Sequence, residues 1–95
     1  MTAPSQRLDK WLWCARFFRT RSVAAEICER GRVRIAGQVV HKAHYAVREG
    51  DVLTFPQGGH IRVVRVAGFA ERRGAARQAQ ALYVDLAVES APPNE

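Results

Sequence analysis

A chain of 95 residues fits one domain and leaves no room for a second catalytic module of ordinary size. Its 47% hydrophobic content suffices for one compact core, while 15 Lys and Arg against 9 Asp and Glu give a net charge of +6, which favours a polyanionic partner. The excess is one-sided: residues 1–50 hold ten basic and four acidic side chains, whereas residues 51–95 hold five of each.

At the N-terminus, residues 1–6 (MTAPSQ) are polar, carry a proline and read as a frayed tail. They lack a signal-peptide core, and no run in the chain approaches the roughly 18 apolar residues of a membrane span. A cytoplasmic protein with no membrane contact is expected. Asp9 suits the N-cap of a first helix running to about Arg19, with Leu8 and Trp13 placed for a hydrophobic staple. Leu8, Trp11, Leu12, Ala15 and Phe18 recur at helical spacing as a core stripe, and Lys10, Trp13 and Arg16 fall on another face.

Thr20 or Ser22 can cap a second helix that turns Val23, Ala24, Ile27 and Cys28 inward and ends at Gly31. Beyond Gly31 the period changes to two. Val33 and Ile35 alternate with Arg32 and Arg34, Ala36-Gly37 turns the chain, and Val39-Val40 resumes an extended run. Residues 48–51 form another turn before a strand at 52–55, and Pro56-Gln57-Gly58-Gly59 leads to a strand from His60 to Val66. Residues 74–82 favour a helix and 82–88 a last strand, while 67–73 carry no clear signal. Residues 89–95 belong to a second polar, proline-bearing tail.

Cys14 and Cys28 sit in apolar patterns and read as reduced core thiols. With His41 and His44 they spell C-x13-C-x12-H-x2-H, but structural zinc sites usually place paired cysteines two to four residues apart. No metal or other cofactor is expected. The basic bias is largely arginine: Arg7, Arg16, Arg19, Arg21, Arg30, Arg32 and Arg34. A guanidinium fork suits phosphates and guanine edges better than a lysine point charge does. Two short helices and a small β-loop carrying these arginines would present a basic surface already ordered before RNA arrives.

The stretch RLDKWLWCARFFRTRSVAAEICERGRVRIAGQVVHKAHYAVREGDVL, residues 7–53, resembles the RNA-binding domain named for ribosomal small-subunit protein four, here the S-four domain. Within that superfamily RLDKWLW, the TRS corner at 20–22, GRV at 31–33 and the ERRG...A..LY pattern at 71–83 resemble the fifteen-kilodalton ribosome-associated heat-shock protein family. The resemblance implies an α+β fold: two short N-terminal helices and a β-loop, packed on a small antiparallel sheet with one further helix. It implies one domain over residues 7–88, with its motif core at 7–53. It further implies binding to free large ribosomal subunits that carry a nascent chain on transfer RNA, and a part in their recycling after stress. Carried over by motif, Arg7, Lys10, Arg16, Arg19, Thr20, Arg21, Ser22, Arg32 and Lys42 would contact phosphate or ribose, and Arg34 is grouped with them. Trp13, between Lys10 and Arg16 on the exposed face, is a candidate base-stacking ring, whereas Trp11 reads as core. His41, His44 and Tyr45 read as ordinary loop residues.

Two departures stand out: Ala36 replaces the usual asparagine before the turn glycine, and an acidic, proline-rich end replaces the basic tail common in the heat-shock family. Without that tail the chain is nearer in length to the small ribosome quality-control factor of the same superfamily. The partners implied are ribosomal RNA, the large subunit and transfer RNA, with a monomer when free. Alternatives are a generic RNA-binding module, a structural ribosome component, or an accessory piece of an RNA-modifying enzyme. Against the last, Asp9, Asp51 and Asp85 each have a capping, turn or strand role, so no catalytic residue is expected.

Overall fold

The computed structural model describes residues 4–86, so the expectations for residues 1–3 and 87–95 lie outside the described residues. In chain order the elements are β1 (Ser5–Arg7), α1 (Leu8–Cys14), α2 (Arg21–Glu29), β2 (Val33–Ile35), β3 (Gln38–Val40), β4 (Ala46–Arg48), β5 (Val52–Gln57), β6 (His60–Val66), α3 (Ala76–Gln80) and β7 (Tyr83–Asp85). This is the expected α+β arrangement. Five strands form an antiparallel sheet in the order β3-β2-β5-β6-β7, and β1 pairs with β4 in a separate ribbon. Alternation along the strands sends Val33, Ile35, Leu53, Phe55, Val64 and Val66 into a single core with Leu8, Trp11 and Leu12 of α1 and Ala24 and Cys28 of α2.

Both helices of the corner end in the same hydrogen-bond pattern. In α2 the Arg32 N–H donates to Ile27 O at 3.2 Å and the Gly31 N–H to Cys28 O at 2.9 Å, with Gly31 left-handed at φ 73°. In α1 the Phe17 N–H donates to Leu12 O at 3.1 Å and the Arg16 N–H to Trp13 O at 3.0 Å, with Arg16 at φ 66°. These are Schellman caps, one on the expected glycine and one on an arginine. The second stops α1 at Cys14 instead of Arg19. Phe17 thereby takes the core place expected of Phe18: it is 4% exposed, and its ring centroid lies 4.9 Å from Phe55, 4.6 Å from Tyr83 and 6.0 Å from Trp11.

The N-terminus of α1 also differs from expectation. Arg7 occupies the N-cap without a side-chain cap bond, Leu8 is already helical and fully buried, and Asp9 lies in the first turn with 3% exposure. The staple expected of Leu8 and Trp13 therefore has no cap to flank. For α2 the cap is Thr20, whose Oγ1 accepts from the Val23 N–H at 3.1 Å. Val23, expected inward, is exposed.

Three further boundaries move. Ser5 and Gln6, expected in the tail, pair with Arg48 and Val47. Pro56 and Gln57 belong to β5, opposite Ile61 and His60, leaving Gly58-Gly59 as the turn. Strand β2 covers β5 only at Leu53 and Thr54, so Pro56 lies where a missing N–H breaks no second ladder. The helix expected at 74–82 is shorter, at Ala76–Gln80, and the strand expected at 82–88 spans Tyr83–Asp85 among the described residues, its positions 87 and 88 lying outside them. Residues 67–73 form no regular element, yet α1 and β1 hold them from the side. The Trp11 Nε1–H donates to Gly68 O at 2.9 Å, Gln6 Nε2 to Ala70 O at 2.8 Å, and the Cys14 thiol to Ala70 O at 3.6 Å.

Candidate nucleic-acid interface

The corner between α1 and α2 is organised by one buried carboxylate. Arg7 meets Asp9 with two parallel bonds, Nε to Oδ1 and Nη2 to Oδ2, each 3.1 Å, and Arg21 Nε approaches Oδ2 at 3.6 Å. The Lys10 N–H donates to Oδ1 at 2.7 Å. Asp9 thus joins the start of α1 to the start of α2. The arginine side chains remain 53% and 41% exposed, so each keeps free N–H groups while one edge is fixed. Hydrogen bonding to Asp9 and attraction to its charge raise the Arg7 guanidinium above its usual pKa, so it stays charged at any working pH.

Four further cations have no internal partner among the described residues. Arg19, Arg32, Arg34 and Lys42 are exposed and form no hydrogen bond or ion pair through their side chains among the described residues. Arg32 and Arg34 alternate with buried Val33 and Ile35, so both project from the outer side of the β2–β3 hairpin. Ser22 is exposed on the first turn of α2, and the Thr20 hydroxyl still has its proton to donate after accepting the cap bond. Lys10 is half-buried on α1. By contrast, Arg30 is engaged with Glu26 at 2.6 Å.

Two expected residues are placed differently. Arg16 reaches the loop before α3, where Nη1 donates to Gly74 O at 2.8 Å. It lines a cleft with Phe17, Gln57 and Arg62 and does not join the Asp9 cluster. Trp13 is half-buried, with the guanidinium of Arg73 5.9 Å from its ring centre. The same guanidinium donates to Trp13 O at 3.0 Å and Phe18 O at 3.2 Å. Part of the surface expected for base stacking is thus covered by the chain's own arginine.

Sequence reasoning missed Asp9 as the organiser and Arg73 as the clamp. The only prior signal for Arg73 was the ERRG pattern, since no local periodicity pairs residue 73 with residue 13. Cys14 and Cys28 are free and buried, and no group of three or more metal-ligating side chains forms among the described residues. Burial pushes the Cys14 thiol up; it pushes Cys28 to about 12, with help from the charges of Asp9 and Glu29. No helix among the described residues is long and apolar enough to cross a membrane.

The S4 domain family model matches residues 6–53, which contain the corner and the hairpin. Heat shock protein 15 homolog of Aeromonas salmonicida is 45% identical over 82 residues, covering 86% of this chain and 61% of that protein. The RQC P-site tRNA stabilizing factor of Listeria innocua is 33% identical over 92% of each chain. A trimeric structure of Vibrio cholerae Heat Shock Protein 15 superposes with a TM-score of 0.84 at 37% identity, covering 92% of this chain and 87% of that one. The chain spans about 60% of the length of the curated heat-shock relatives it matches. With the domain match over half its length and the whole-fold likeness at that identity, the chain belongs to the S4 domain family and, within it, to the Heat shock protein 15 family.

Proposed function

We propose that this protein binds structured ribosomal RNA without catalysing a reaction, on free large ribosomal subunits that carry a nascent chain on transfer RNA. It acts there in rescue or recycling of stalled ribosomes after stress, in the cytoplasm, and is a monomer when free. The observation that carries the reading is the corner itself. A buried carboxylate holds Arg7 by two hydrogen bonds and pairs with Arg21, while Arg19, Arg32 and Arg34 are exposed and unpaired among the described residues. Guanidiniums fixed beforehand lose less entropy on meeting phosphates than a flexible tail does. Membership of the S4 domain family supports the RNA target, and the names of the related proteins, a heat shock protein and an RQC P-site tRNA stabilizing factor, support the ribosomal setting.

Binding of purified ribosomal RNA, followed against salt, tests the phosphate model. With about six phosphates contacted, the log–log slope should be about −4 to −6. Arg19→Glu and Arg32→Glu should weaken binding alike across RNA sequences and flatten the slope. Arg21→Glu is a poor probe, since it would set a carboxylate against buried Asp9. A salt-independent affinity would overturn the reading.

A further inference from the structure

Where the chain leaves the hairpin, Ile35, Val39, Val40, His41, Lys42 and Tyr45 line an open notch of about 290 Å³. Its floor is aliphatic, Tyr45 and His41 bring rings to it, and among the described residues its one charged lining residue is Lys42. Val39 and Tyr45 are 44% and 39% exposed, a large outlay of apolar surface beside a basic corner.

Both sides of the notch are held from behind. The Tyr45 carbonyl accepts from the Leu8 N–H at 2.8 Å, and the Tyr45 N–H donates to Lys42 O at 3.1 Å. The His41 ring lies against Gly31, where an added Cβ would come within 2.7 Å of Cε1 and 3.4 Å of Val39 Cγ1. Gly31 is thus required for this close approach as well as for its left-handed backbone. The same contacts join the notch to the corner: Leu8 follows Arg7, Gly31 precedes Arg32, and Val39 lies across the ladder from Arg34.

We propose that the notch receives one unpaired nucleobase of the RNA held by the corner, stacked on Tyr45, with Lys42 on the adjoining phosphate. The proposal rests on the RNA-binding reading above. Its size lies at the lower limit of the roughly 300–1,000 Å³ of small-molecule sites, which suits a single ring system better than a whole cofactor. A base offers the flat face an exposed aromatic needs, and its phosphate offers the anion a lysine at the rim needs. With no carboxylate among its described lining residues, the notch does not repel a polyanion.

Two stem–loop RNAs with one stem test this by fluorescence anisotropy, one with an adenosine loop and one with the loop bases removed. The wild type should bind the adenosine loop about tenfold more tightly than the abasic one. Tyr45→Ala should abolish that preference, Tyr45→Phe should keep it, and the salt slope should be unchanged in both variants. Equal binding of the two RNAs by the wild type, or a preference that survives Tyr45→Ala, would overturn the notch and leave the corner standing. Binding of neither RNA at low salt would overturn both.

Discussion

Asp9 is 4% exposed at its side chain, and an acid so placed is tolerable because two guanidiniums and a backbone N–H meet its oxygens. Asp9→Asn keeps the shape and removes the charge. Loss of a partner in a fully buried ion pair costs about 3–5 kcal/mol; here both arginines are half in water and can be hydrated, so about 1–3 kcal/mol is expected. Urea unfolding should show that loss, and RNA affinity should fall several-fold as Arg7 and Arg21 come free. Unchanged stability would mean that Asp9 organises nothing. Cys28 supplies a pH test. Its thiol is raised from 9.0 to about 12 by burial, so the folded state favours the neutral form. The stabilisation is complete below pH 9 and is lost as pH rises towards 12, because the unfolded thiol ionises first. The stability difference between wild type and Cys28→Ala should shrink across that window, and a constant difference would contradict a desolvated thiol.

The elements that were legible are those whose signal is local. Gly31 and the alternation through Val33 and Ile35 mark the stop and the strand by residue type alone, and residue type narrows the cap to Thr20 or Ser22, of which the structure uses Thr20. The end of α1 was not legible, because the left-handed position after it holds Arg16, a residue with no preference for that conformation. Pairing of β1 with β4 and the clamping of 67–73 depend on partners about 40 to 64 residues away, beyond any window of periodicity. The cations of the corner were legible as residue types, but the carboxylate that fixes two of them was not: an acid near a helix start looks the same whether it caps or pairs. Ala36 shows the departure from the family pattern as strain. The turn has Ala36 at φ 53° and Gly37 at φ 82°, the two left-handed residues of a type I′ hairpin. Asparagine tolerates that region better than alanine, so Ala36→Asn should stabilise the protein by about 0.5–1 kcal/mol. Thermal or urea unfolding reads the gain, and a loss would mean that the Ala36 backbone is unstrained.

Across the whole molecule the two halves divide the work. The first half carries the net charge on the corner and hairpin, while the second supplies β5, β6 and β7 and the segment that clamps α1 through Gly68, Ala70 and Arg73. A surplus of charge on the corner and hairpin favours their encounter with a polyanion. Ile61 is 62% exposed, with Val39 and Val84 also open. Analytical ultracentrifugation should return a monomer for the free protein; a trimer would instead match the assembly of the Vibrio cholerae relative. The central claim is tested most directly by mixing the purified protein with separated ribosomal subunits and following it through a sucrose gradient. Co-sedimentation with large subunits bearing a nascent chain on transfer RNA, in excess over small subunits and intact ribosomes, is the predicted result; equal presence on every particle, or on none, would contradict it.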